Sequence, residues 1–356
     1  MVQTAAPAGT PTSLRISRLA SRVGDKERRI PGEVRTARQD TPQQRPAHRE
    51  PASGSHSHPV KRLCPTSLQA PSSDGAQACW GKGGAMDVAF AFDATYASYL
   101  PGAVESVLRT NTQVELWLAA TPAAVSVVEK QLVRQVSTRA AIHYLIMDES
   151  RLQLGTSVLA ELSYISAGAN LRLFLADAMP AHVTRFLYLD IDVLVHADLS
   201  PLWHVPLGDA VVGAVRDRGT PFMGSHGGPP GLSADLDPAS PYFNSGVLLV
   251  NPAQWRRRDI TRRCIDYLVR YRDRLRYPDQ DGLNIVCYGA WLELDDTWNY
   301  QYARPGPDEP RPCRDGIRIT HYAGNRKPWD ADFPAEEHRR RYLEIVDHAN
   351  VRLIRR

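Results

Sequence analysis

The chain has 356 residues, 43% hydrophobic and 23% charged, which is ordinary for a soluble globular protein. This excludes a wholly disordered chain, a collagen and a coiled coil, and no apolar run approaches the roughly 18 residues that span a bilayer. The net charge of +4 is a poor argument for nucleic acid: 13 of the 43 basic residues but only 6 of the 39 acidic ones fall in residues 1–85, so the rest of the chain is slightly acidic.

Residues 1–85 hold nine of the 27 prolines and a single aromatic, Trp80. Such a stretch buries too little apolar surface to offset its ordering entropy, and it reads as a disordered extension with a weak helical stretch at 14–23. GKGGA at 81–85 lacks the G-x-x-x-x-G-K-[ST] spacing and a preceding strand, so it reads as a linker. Met86 then opens MDVAFAFDATY, a buried-strand pattern. Residues 1–85 are open to two readings, a genuine tail or an over-extended gene start before Met86.

Residues 86–356 suit one domain. Strands are predicted at 87–92, 114–119, 140–146, 185–189, 211–215, 243–250 and 316–319. Helices are predicted at 102–109, 122–136, 166–178 and 252–275, with another starting after Pro278. Alternating strands and helices imply an α/β fold, a mostly parallel sheet flanked by helices on both faces. The five cysteines are scattered, with no C-x-x-C pair. That argues against a disulfide framework or a zinc knuckle. A reduced, cytoplasmic setting follows, and no apolar core follows the early arginines to make a secretory signal.

RFLYLDIDVLV at 185–195 carries the strongest chemical signal. The apolar strand ends in Asp190 and Asp192, which on an extended chain face the same side. At the carboxyl end of a parallel strand they would point into the crevice where such sheets bind ligands. Two close carboxylates repel unless a cation lies between them, and hard oxygen ligands suit Mg²⁺ or Mn²⁺. The chain holds four D-x-D pairs, but only this one follows a buried strand. YFNSGVLLVN at 242–251 places Asn244 and Ser245 at a strand entry. YPDQDGLN at 277–284 starts a helix, with Asp279 or Asp281 available as its cap. HYAGNRKPW at 321–329 offers an imidazole, a glycine and two cations. Each motif alone suits an ordinary turn or cap. Together they supply a cation site, a phosphate clamp and polar amides for a hydroxylated ligand.

These motifs occur in a particular order: MDVAFAFDATYASYL, LRLFLADAMP, FLYLDIDVLV, YFNSGVLLVNPAQW, YPDQDGLN, WNYQ and HYAGNRKPW. In that order the chain from Met86 resembles glycosyltransferase family 8, the retaining nucleotide-sugar transferases, and especially the bacterial lipopolysaccharide galactosyltransferases and glucosyltransferases. The resemblance implies a Rossmann-like nucleotide-diphospho-sugar transferase fold of the GT-A type. It implies a divalent cation, usually Mn²⁺, held by Asp190, Asp192 and His321. It places Ala91, Asp93 and Tyr96 at the uridine, Ile191 near the ribose, and Arg172, Asp217 and Asn244 at the sugar. Asp279 and Gln280 also match sugar positions, and they are the catalytic candidates, with Gln280 close to the anomeric carbon. Gly324 and Lys327 match the diphosphate clamp.

The implied reaction moves a hexose, galactose or glucose, from a UDP-sugar to a glycan or lipid-linked acceptor. Ala94, Thr95 and Asn170 depart from the family pattern. The loop at 220–241 reads as a lid or a plain surface connection. The basic C-terminus reads as a charged surface helix or a peripheral membrane contact at the inner face. Two other classes remain open, a sugar-nucleotide-binding protein without catalysis and an aspartate-based phosphohydrolase. Nucleic-acid binding has no folded motif behind it.

Overall fold

The structure is a computed structural model that describes residues 84–136, 139–147, 170–233, 235–302 and 316–348. The expected extension with its helical stretch, and the first residues of the helix expected at 166–178, lie outside the described residues.

The chain opens with β1 (Met86–Phe92), α1 (Leu100–Thr110), β2 (Val114–Ala120), α2 (Pro122–Val136) and β3 (Ala140–Ile146). The three strands are parallel and in full register, with Met86 beside Val114 and Val114 beside Ala140. In β1, Val88, Phe90 and Phe92 join the core that α1 and α2 cover, while Ala89 and Ala91 belong to the core on the other face. Both faces are covered, so the strand reads as an unbroken apolar run instead of an alternating one.

After α3 (Leu175–Ala178), β4 (Phe186–Leu189) adds to β1 on the side away from β2. Past β5 (Val193–Val195) and α4 (Ser200–Trp203), β6 (Val212–Arg216) and β7 (Phe243–Val250) follow. β7 lies antiparallel between β4 and β6. β8 (Trp291–Glu293) pairs parallel with β6, so the sheet runs β3-β2-β1-β4-β7-β6-β8. Sequence order reverses between β1 and β4, and open α/β sheets bind ligands outside the carboxyl ends of their strands at such a reversal. A second sheet joins β5 to β10 (Ile319–His321) and β9 (Tyr300–Gln301), in the order β5-β10-β9.

The helix expected at 252–275 is two helices, α5 (Pro252–Arg257) and α6 (Ile260–Tyr271). The break is at Asp259, whose φ of +53° is left-handed. A helix cannot continue through that conformation. The helix expected up to residue 178 is a 3₁₀ turn, Arg172–Phe174, running into α3. α7 (Pro278–Val286) opens with proline, which suits a first helical turn because the missing N–H would have no partner there. α8 (Glu336–His348) closes the described chain.

A third apolar cluster ties α8 to the small sheet. Tyr99, Leu194, Tyr322, Trp329, Phe333, Tyr342 and Val346 form it. Tyr99 stacks flat on Trp329, with ring centres 4.0 Å apart. This holds the segment from Tyr322 to Phe333 against the fold and so positions Lys327. The loop at 220–241 is bonded down at several points. Met223 N–H donates to Ser240 O at 2.8 Å, and Tyr267 of α6 donates its hydroxyl to Pro230 O at 2.7 Å. Cys264 and Cys287 are free and buried. Among the described residues no helix is long and apolar enough to cross a membrane.

Candidate active site

β1 ends at Phe92, and Asp93 Oδ1 accepts from Thr95 N–H at 2.9 Å and Tyr96 N–H at 3.2 Å. This turn brings Tyr96 to the edge of an open cleft. Its lining is Ala91, Phe92, Asp93, Tyr96, Arg172, Asp190, Ile191, Asp192, Lys327 and Trp329. The cleft therefore sits at the reversal between β1 and β4.

Asp190, Ile191 and Asp192 form a turn between β4 and β5, not the extended end of a strand. The backbone has to leave one sheet for the other. Asp190 N–H donates to Gly246 O in β7 at 2.8 Å, whereas Asp192 O accepts from Tyr322 N–H beside β10 at 2.9 Å. Strand alternation does not align these carboxylates; the turn folds both of them toward His321. That histidine ends β10 and is not in the loop after it. Its Nε2 lies 3.4 Å from Asp192 Oδ1 and 3.7 Å from Asp190 Oδ2. Ligand atoms of the three lie within 4.8 Å of one another, the one such group among the described residues.

Gly246 makes that convergence sterically feasible. A methyl group there would lie 2.2 Å from His321 Cε1 and 2.8 Å from Asp190 Oδ2. The pleat of β7 turns its bare face toward the cluster, so the absence of a side chain creates the space.

Two cations balance the two carboxylates. Arg172 Nη2 lies 3.0 Å from Asp190 Oδ1, and its Nε lies 3.2 Å from Asp279 Oδ2. Arg172 Nη1 also donates to Ser245 O and Oγ, each at 3.1 Å, and the guanidinium sits 5.1 Å from the centre of the Tyr188 ring. The Tyr188 hydroxyl donates to Asp190 Oδ1. Lys327 Nζ lies 2.5 Å from Asp192 Oδ2 and donates to Tyr322 O at 3.0 Å. Burial pushes the Asp190 carboxyl up by more than Arg172 pulls it down. Burial also pushes Asp192 up, but the charge beside it, that of Lys327 foremost, holds that carboxyl well below the usual range. Burial would lower Arg172 and Lys327, but the carboxylates beside them raise both.

Beyond Arg172 lies a buried polar patch. Gln280 Oε1 accepts from Ser245 N–H at 3.0 Å, and its Nε2 donates to Asp217 Oδ2 at 3.1 Å. Asn244 Nδ2 donates to the same Asp217 oxygen at 3.0 Å. Of the two aspartates expected as helix caps, Asp281 does the bonding near the start of α7. Its Oδ2 accepts from Arg276 N–H and Tyr277 N–H at 3.1 Å each. Asp279, two residues earlier, is left to face Arg172.

Most of the residues singled out from the sequence thus come together, around the cleft or in the patch beside it. Gly324 does not line the cleft. It is exposed at φ +105°, three residues before Lys327. Sequence reasoning passed over Tyr188 and Asn299. Tyr188 is two residues before Asp190, a detectable spacing. Asn299 sits inside WNYQ, a motif that carried no assigned role.

Residues 87–332 match the sequence profile of glycosyl transferase family 8. The chain belongs to this family. Among the family's relatives, it is 27% identical over 263 residues to General stress protein A of Bacillus subtilis (strain 168), covering 69% of this chain and 88% of that one. It is 26% identical over 257 residues to the lipopolysaccharide 1,2-glucosyltransferase of Escherichia coli (strain K12), covering 68% and 72%. Among solved structures it resembles the galactosyltransferase LgtC in complex with donor and acceptor sugar analogues, with a TM-score of 0.57 and 28% identity over 74% of this chain and 96% of that one. The glycosyltransferase GlyE of Streptococcus pneumoniae TIGR4, 20% identical at a TM-score of 0.54, shares the fold. The architecture is the GT-A type of this family, a mostly parallel sheet flanked by helices.

Proposed function

We propose that this protein is a cation-dependent, retaining hexosyltransferase. It would move galactose or glucose from a UDP-sugar to a hydroxyl of a glycan or lipid-linked acceptor and release UDP. The observation that carries this reading is the convergence of Asp190, Asp192 and His321 beside Lys327 and Arg172, at the reversal between β1 and β4.

The residues fit a divalent cation. Two carboxylates and an imidazole, with the bare backbone of Gly246 behind them, make a compact N/O donor set. The imidazole favours Mn²⁺ over Mg²⁺, which prefers oxygen alone. When bound, such a cation neutralises charge on the departing diphosphate. Tyr96 would take the uracil ring, and Ala91, Asp93 and Ile191 the rest of the uridine. Lys327 would turn from Asp192 to the diphosphate, and the loop carrying Gly324 would have to move inward to meet it. Arg172, Asp217, Asn244, Asp279 and Gln280 would hold the hexose.

In this scheme the bond from the anomeric carbon to the diphosphate oxygen breaks while the acceptor hydroxyl oxygen bonds to that carbon from the same face. The acceptor's proton goes to the departing diphosphate. Gln280 is tied at both ends of its amide, its oxygen by Ser245 N–H and its nitrogen by Asp217. An amide so held is a poor nucleophile and a good fixed dipole, which supports same-face attack over a covalent intermediate. Asp190 has Tyr188 and Arg172 on its oxygens, which speaks against a phosphohydrolase nucleophile.

The test is UDP release by the purified full chain with Mn²⁺, across common UDP-hexoses and UDP-sugars of other classes. UDP-galactose or UDP-glucose should be hydrolysed slowly without acceptor, and a chelator should stop it. Asp192→Ala should lower the rate about a thousandfold, since charge stabilisation of this kind supplies several kcal/mol and each 1.36 kcal/mol is tenfold. Binding of UDP-sugars without any UDP release would favour a binding protein. Full activity in Asp192→Ala would refute the metal assignment.

A further inference from the structure

A histidine binds a cation only through a ring nitrogen that carries no proton, and its neighbours decide which nitrogen that is. His321 Nδ1 lies 3.0 Å from Asn299 Oδ1. The orientation of that amide can be deduced from the bonds behind it. Gly246 N–H, which can only donate, meets Asn244 Oδ1 at 3.0 Å. The Asp217 carboxylate, which accepts, meets Asn244 Nδ2 at 3.0 Å. Both contacts give Asn244 the same orientation. Its Oδ1 then accepts from Asn299 Nδ2 at 2.9 Å, which leaves the Asn299 oxygen facing the ring. An oxygen there requires a proton on Nδ1. Nε2 is then the nitrogen left open, and it is the one beside Asp190 and Asp192.

His321, Asn299, Asn244 and Asp217 are all buried, so water does not compete for these bonds. Two residues beyond Asn299, Gln301 fastens the segment to the end of β6. It accepts from Arg218 N–H at 2.7 Å and donates to Arg216 O at 3.0 Å. The backbone carrying Asn299 is therefore anchored independently of the histidine.

We propose that Asn299 is a positioning residue that keeps the His321 proton on Nδ1 and aims Nε2 at the two carboxylates. Its own orientation is set by Asn244, between Gly246 N–H and Asp217. This rests on the metal reading above, and the experiment separates the two.

The full chain is labelled with ¹⁵N-histidine, and the ring nitrogens of His321, identified by their loss in His321→Gln, are read by NMR in metal-free protein at a pH where the ring is neutral. Wild type should hold the Nδ1–H form. Asn299→Leu should lose that preference and bind Mn²⁺ without donor sugar 10- to 100-fold more weakly, the usual effect of removing such a partner. Asn299→Asp, which keeps an acceptor oxygen, should restore the Nδ1–H form. An Nε2–H ring in wild type overturns the proposal, and that measurement needs no variant to fold. Wild-type Mn²⁺ affinity in Asn299→Leu also overturns it. A wild type that binds no Mn²⁺ refutes the metal reading instead, while its ring spectrum still judges Asn299.

Discussion

Gly246→Ala should reduce UDP release at least about a thousandfold and should weaken Mn²⁺ binding to match. The added methyl would lie 2.2 Å from His321 Cε1 and 2.8 Å from His321 Nδ1 and Asp190 Oδ2. None of these atoms is the far end of a free side chain. The imidazole is buried and bonded to Asn299, and Asp190 is held by Arg172 and Tyr188. Relief must come from moving a proposed ligand, and loss of the cation's charge stabilisation is worth several kcal/mol. The folding cost is smaller, about 1–3 kcal/mol for overpacking a tight site. Mn²⁺ titration by electron paramagnetic resonance, with a urea melt on the same protein, separates the two effects. Unchanged Mn²⁺ affinity in a folded variant would mean that the cluster is not where the cation binds.

Arg172→Ala should destabilise the fold by about 3–5 kcal/mol, the range for removing one partner of a buried ion pair, and should also abolish turnover. The guanidinium bridges Asp190 and Asp279 and covers the Ser245 carbonyl. Without it, two largely buried carboxylates face each other with less countercharge. The loss should also depend on pH. Burial already raises the Asp190 pKa in the folded protein, and removing Arg172 raises it further. A carboxyl with a raised folded pKa costs stability at neutral pH and recovers it on protonation. The gap between variant and wild type should therefore narrow as pH falls toward the ordinary carboxylate range. Arg172→Lys should rescue little, because an ammonium cannot span three acceptors as the planar fork does. Urea denaturation at neutral and acidic pH reads this. Equal stability of Arg172→Ala and wild type at pH 7 would show that the bridge contributes nothing.

β1, β2, α2 and β3 were legible to within a residue, because each is an unbroken apolar run or periodic stretch bounded by a polar or proline stop. The break between α5 and α6 was not legible. Arg256, Arg257, Arg258 and Asp259 look like a solvated helix face, and neither Gly nor Pro marks the left-handed residue. The small sheet was barely visible for another reason: β5, β9 and β10 are two or three residues long, too short for any periodicity, and only β10 was anticipated, as a strand at 316–319 that in fact begins at Ile319. In the site, the D-x-D turn and the HYAGNRKPW run were readable as chemistry. The amide chain from Asp217 through Asn244 and Asn299 to His321 was not, because its links span 27, 55 and 22 residues and leave no local pattern.

Asp190 hangs from the large sheet, and Asp192 and His321 belong to the small one. A cation held by all three would act as a rivet between two layers of the protein. Occupancy and folding are then thermodynamically linked, and a cation at 100 times its dissociation constant would add about 2.7 kcal/mol of stability. The small sheet, and with it α8 and the Lys327 segment, should be the part that loosens first in a metal-starved cell. Supply of that cation would then govern how long the folded protein survives.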